Sequence, residues 1–143
     1  MIKKIILILI SAILIIGLGI YFSCIRISYT TTHIPPITYH IKINKLTKTM
    51  SVREYNSCKD SSCNKMDVEN KVKLTDEEYK IIKEKNKTSQ NLEKLAACLS
   101  DLAKGDSVFM TKDQTEYDIM QDLNNDGKVT YREKALHVLN DIK

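Results

Sequence analysis

The chain has 143 residues, and 22 Lys and Arg stand against 18 Asp and Glu for a formal net charge of +4. That length fits one domain plus an anchor and excludes two sizeable cores. The charge is too mild and mixed for the clustered basic face of a nucleic-acid binder, so no nucleic-acid partner is expected. Residues 106–143 hold eight acids against five bases, a balance that suits a cation site better than a phosphate site.

The N-terminus, MIKKIILILISAILIIGLGIYFS, sets Lys3 and Lys4 before an uncharged, mostly apolar run from Ile5 to Phe22. As a helix rising 1.5 Å per residue that run spans about 27 Å, close to a hydrocarbon core of roughly 30 Å. A secretory signal core is shorter, about 7–15 residues, and no good cleavage pattern follows. The expectation is an uncleaved transmembrane signal-anchor over residues 1–23. Lys3 and Lys4 outweigh Arg26, which keeps the N-terminus cytoplasmic and exports the remainder. The alternatives are a cleaved, secreted form and a lipid anchor on Cys24, although YFSC matches a lipobox only in its last two positions.

Residues 24–36 read as a stalk ending at Pro35 and Pro36, which favour an extended chain. A small α+β region is expected over 37–105. Ile37, Tyr39, Ile41 and Ile43 alternate with Thr38, His40 and Lys42, the period of a half-buried strand. Met50 and Val52 mark a second strand in a hairpin with it, and a third runs from Val68 to Leu74. His40 falls on the polar face. Cys58 and Cys63 flank a polar turn where a short disulfide would persist in an oxidising compartment, free thiols being the alternative. Their spacing with His33 and His40 matches no usual zinc pattern.

Thr75 and Glu78 form a capping box that starts a helix reaching about Lys85. Leu92, Leu95, Ala96, Leu99, Leu102 and Ala103 form one helical stripe, stopped at Gly105. Cys98 lies on its flank as a small packed residue. Val108–Met110 is extended, and Thr111 and Gln114 form a second capping box. A helix of about ten residues is expected from there, presenting Tyr117, Met120 and Leu123. Ala135, Val138, Leu139 and Ile142 mark the closing helix.

Between those last two helices stands Asp122 to Glu133, DLNNDGKVTYRE. The segment resembles an EF-hand, whose loop is D-x-[DN]-x-[DN]-G followed by five residues and a bidentate Glu. The resemblance covers roughly residues 112–143. It implies Ca²⁺ as the bound ion, held by Asp122, Asn124, Asp126, the Lys128 carbonyl, Thr130 and Glu133. Gly127 supplies the sharp turn and Val129 faces inward. Calcium wants six to eight oxygens at about 2.3–2.6 Å, which alternate residues of a tight loop can aim at one centre. EF-hands normally come in pairs, and no second loop carries the ligands. AKGDSVFMTKDQ (103–114) aligns without them, which leaves two alternatives: Val108–Met110 as a vestigial partner strand for Lys128–Thr130, or pairing of the loop across a dimer. Dockerins, with duplicated loops usually closed by Asp, fit less well.

The overall expectation is an α+β chain: a transmembrane helix, a small antiparallel sheet, then about four helices ending in one EF-hand region over 106–143. His33, His40 and His137 are scattered, and no Ser-His-Asp or Cys-His grouping, P-loop or HExxH occurs, so no enzyme is expected. The function expected is calcium binding by a membrane-anchored extracytoplasmic interaction or structural module, with a protein partner the sequence does not identify. The alternatives are a calcium sensor and a small calcium-dependent hydrolase.

Overall fold

A run dominated by Ile and Leu makes the first element a helix, α1 (Ile2–Phe22), none of whose side chains is buried. With a mean hydropathy of 2.9 it is long and apolar enough to cross a membrane or to serve as a signal sequence. The computed structural model describes residues 2–32, 35–56, 66–115 and 117–142. The expected Cys58–Cys63 bridge and His33 lie outside the described residues.

Only Ser23 separates α1 from β1 (Cys24–Thr30). β1 opens a four-stranded antiparallel meander with β2 (Ile37–Asn44), β3 (Thr49–Asn56) and β4 (Asp67–Lys73). Residues 24–30 are therefore an edge strand, where the sequence led us to expect a stalk. The reason is in the register: Ile25, Ile27 and Tyr29 stand opposite Ile43, Ile41 and Tyr39, so pairing gives three short apolar positions a buried face. The alternation expected for β2 holds from Tyr39 to Ile43, with Tyr39, Ile41 and Ile43 buried and His40 and Lys42 exposed, while Thr38, expected on the polar face, is buried beside a half-buried Ile37. Asn44 shapes the β2–β3 turn by accepting the N–H groups of Leu46 and Thr47 on Oδ1.

Helix α2 (Asp76–Thr88) starts at the expected box, with Thr75 and Glu78 bonded reciprocally. It runs on to Thr88, past the expected end at Lys85. Helix α3 (Leu92–Ala103) is capped by Asn91, and Gly105 follows at φ +64°. From Leu95 onward its stripe packs on all four strands and on α4 (Tyr131–Asp141), while Leu92, the first expected member, is exposed. Leu95, Leu99 and Leu102 are fully buried, each such side chain stabilising the fold by about 1.5–3 kcal/mol. β5 (Val108–Thr111) and β6 (Lys128–Thr130) pair as a separate two-stranded ribbon, the pairing expected of the vestigial segment.

Among the described residues the helix expected after Thr111 does not form, so three helices follow the four-stranded sheet there, where about four were expected. Half of its capping box is present, because Thr111 N–H donates to Gln114 Oε1 at 2.9 Å. Beyond that the backbone makes isolated three-residue turns, with Gln114 bonded back to Thr111, Tyr117 to Gln114 and Gln121 to Asp118. Asp118 also accepts the Met120 N–H at 2.9 Å, the local competition by which Asp opposes helix. Ile119, Met120 and Leu123 are 65%, 68% and 54% exposed. No packed face rewards a helix there, and short helices depend on such packing.

Candidate metal centre

The backbone of the loop follows from two left-handed residues, Asn125 at φ +59° and Gly127 at φ +82°. Asn tolerates that region better than most side chains, and Gly adopts it freely. The reversal turns the N–H groups of the loop inward onto its first residue. Asp122 accepts Gly127 N–H at 2.9 Å on Oδ2 and Asp126 N–H at 3.2 Å on Oδ1. Asn124 Oδ1 accepts Asp126 N–H, and Asp126 Oδ1 accepts Lys128 N–H, both at 2.9 Å.

The loop leaves through β6 into α4. Val129 is fully buried, as expected. Thr130 caps α4: its Oγ1 accepts Glu133 N–H at 3.1 Å, and Glu133 Oε2 accepts Thr130 N–H at 2.9 Å and Thr130 Oγ1–H at 3.0 Å. Lys112 N–H donates to the Gly127 carbonyl at 2.9 Å, tying the turn to the end of β5.

Asp122 and Glu133 are buried, at 4% and 9% exposure, while Asn124 and Asp126 are exposed. The Tyr117 hydroxyl donates to Asp122 Oδ2. That bond, with the loop N–H groups, holds the Asp122 carboxyl below the usual carboxylate range, and the same bond pushes the Tyr117 hydroxyl up to about 12. Sequence spacing placed Tyr117 on the apolar stripe of a helix. Its bond to Asp122 depends on the chain being unwound there, which no periodicity signals.

The donor chemistry suits a hard divalent cation: carboxylates, an amide oxygen, a hydroxyl and a peptide carbonyl. Gln121, beside Asp122, also carries a buried Oε1 without a partner. Gathering is a different matter. Among the described residues no three His, Cys, Asp or Glu side chains group to hold a metal. Asp122 is occupied with Tyr117 and Gly127, Asp126 with Lys128, and Glu133 with Thr130. The helix expected before the loop is absent, as described above.

Ser28, His40 and Tyr55 form a hydrogen-bonded row on the sheet, with His40 Nδ1 3.0 Å from Ser28 Oγ and Nε2 2.8 Å from Tyr55 Oη. Among the described residues no carboxylate bonds this imidazole, and all three groups lie on the outer sheet face. Cys98 donates its thiol to the Ala135 carbonyl at 3.0 Å and packs in the core.

No protein-family model matches the chain, and no curated protein or solved structure matches it significantly.

Proposed function

We propose that the protein is a membrane-anchored module, displayed outside the cytoplasm, whose Asp122–Glu133 loop binds one Ca²⁺ as a structural staple. The observation that carries this reading is the loop itself. Oxygen donors fill positions one, three, five, seven, nine and twelve of a segment that reverses at Gly127 and ends on the first turn of α4. Asp122, Asn124, Asp126, Thr130 and Glu133 would supply side-chain oxygens and Lys128 its carbonyl. To reach a common ion, Asp126 and Glu133 exchange their present hydrogen bonds for the cation. The ion would neutralise charge on the buried Asp122 and Glu133 and join the β5–β6 ribbon to α4.

Three formal charges and no cooperating second loop point to modest affinity, about 10⁻⁴ to 10⁻³ M, the range of extracellular modules. Lys3 and Lys4, in the first turn of α1 and ahead of its apolar run, support export of the rest. One observation favours sensing as a second reading: Ile119 and Met120, just before the loop, and Leu123, its second residue, lie exposed. Calcium that refolded 112–121 would change what they touch.

The chain has seven Tyr and no Trp, so terbium bound near Tyr117 or Tyr131 is excited through tyrosine alone. Terbium emission from the full chain in detergent should rise, fall as calcium displaces the lanthanide, and weaken at least about tenfold in Glu133→Gln, which loses a charged ligand. Absent emission, or emission unchanged in the variant, removes the calcium reading.

A further inference from the structure

The outer face of the four-stranded sheet carries a charge arrangement that calcium binding does not use. In the β1–β2 register Arg26 stands directly opposite Lys42, so two cations share one cross-strand position. Like charges placed so oppose sheet formation. Neither has a carboxylate partner among the described residues. On the same face Asp67 grips Arg53 at 2.8 and 2.7 Å, Glu69 accepts from Ser51 and pairs with Lys71, and Lys73 donates to the Thr47 carbonyl. Arg26 and Lys42 border one end of an open hollow of about 490 Å³, lined also by Ser28, His40 and Ser51 and closed at its far end by Arg53 and the Glu69 carboxylate that Ser51 and Lys71 already hold.

The position of the pair along the chain axis is fixed by its ties to α1. The Arg26 guanidinium lies 4.5 Å from the ring centroid of Tyr21, in the last turn of that helix. Lys45 donates from Nζ to the Phe22 carbonyl and from its backbone N–H to the Ser23 carbonyl, both at 2.8 Å. Aromatic residues ending an apolar span sit at the depth of lipid headgroups. Arg26 reaches back to that depth, and Lys42 is its neighbour across the strands. At the same end of the sheet, Leu46 at the tip of the β2–β3 turn is 83% exposed.

We infer that Arg26 and Lys42 form a docking shelf for the phosphate of an anionic phospholipid headgroup in the membrane that α1 crosses. The inference rests on the reading of α1 as a membrane span. A guanidinium presents paired planar donors to phosphate oxygens, and Lys42 adds a point charge. The phosphate removes the repulsion the two cations otherwise face. Leu46 enters the interfacial layer beside it. With one residue between helix and sheet, a bound headgroup fixes the tilt of the whole domain on its membrane.

The test uses the full chain in vesicles of phosphatidylcholine, with spin-labelled phosphatidylglycerol or phosphatidylcholine as the reporter of lipid held at the protein. The expected result is a preference for the anionic label that falls at least about fivefold in Arg26→Gln and in Lys42→Glu, since each basic residue near an anionic surface contributes about that factor. Lys42→Glu gives Arg26 an opposite charge across the strands, so that variant should fold as stably as the parent. Lys80→Gln with Lys83→Gln, on α2, should leave the preference unchanged. A chain that stays in the bilayer through alkaline extraction but shows no preference, or keeps it in Lys42→Glu, overturns the shelf and leaves the anchor standing. A chain released by alkaline extraction overturns the anchor and the shelf together. Binding of inorganic phosphate by the same two residues in pure phosphatidylcholine, without preference among labels, overturns the lipid and makes the ligand a soluble anion.

Discussion

Gly127 holds φ at +82°, and a Cβ built there would meet only Lys112 side-chain atoms at ordinary contact distance, the nearest 3.7 Å away. The obstacle to substitution is therefore the backbone and not the space. Gly127→Ala should cost about 1–2 kcal/mol, the strain of a left-handed residue with a side chain, read as a lower urea midpoint. Cys98 illustrates the opposite case, a group decided by its surroundings. Burial pushes its thiol up to about 12, while an unfolded thiol titrates near 8.5. The folded chain thus keeps a proton that the unfolded chain releases. This contribution to stability is complete below about pH 8.5 and is lost as pH rises toward 12. Urea midpoints should fall more steeply with rising alkaline pH in the parent than in Cys98→Ala. Gly127 was legible in the sequence because its role is local. The Tyr117–Asp122 bond was not, because it joins residues that a helix would have held apart.

At the scale of elements, the caps set what the sequence could announce. Thr75 with Glu78 and Thr130 with Glu133 each bond within four residues, and both helices start where the pattern places them. Thr111 with Gln114 has the same pattern, yet among the described residues only one of its bonds forms and no helix follows. The difference is packing: α2 and α4 bury Ile82 and Leu139 in the core, whereas Ile119 and Met120 meet solvent. A cap directs a helix that burial stabilises and does not create one. β1 was missed for a related reason. Its Ile25, Ile27 and Tyr29 gain meaning only from their partners on β2, and residues beside an anchor read as a spacer. Glu78 shows a further long-range role, since its buried carboxylate also accepts Arg132 Nη1 of α4 at 2.6 Å. Arg132→Met should cost about 3 kcal/mol, the low end for breaking a buried ion pair, because it strands Glu78 in the core. Glu78→Gln in the same background should recover part of that loss.

Across the whole molecule, α3 is the common wall. It covers the inner sheet face on one side and meets α4 on the other, so the sheet and the loop-bearing helix share one core. Thermal unfolding of the part beyond α1 should be a single cooperative transition. Leu99→Ala should lower it by about 3–4 kcal/mol, moving probes on the sheet and on α4 together. The apolar stripe of α3 was legible at this scale, as was the β5–β6 pairing. The site is legible as a pattern of donors and not as a gathered centre, because the sequence gives the order of the oxygens and not the hydrogen bonds competing for them.

Calcium in the proposed Asp122–Glu133 site would hold the β5–β6 ribbon and α4 together. Calorimetric titration of Ca²⁺ into the full chain in detergent, beside Glu133→Gln, should then show one site of about 10⁻⁴ to 10⁻³ M, lost in the variant. Stabilisation of about 1.4 kcal/mol at ten times the dissociation constant should accompany it. No binding heat, or the same heat in Glu133→Gln, would contradict it.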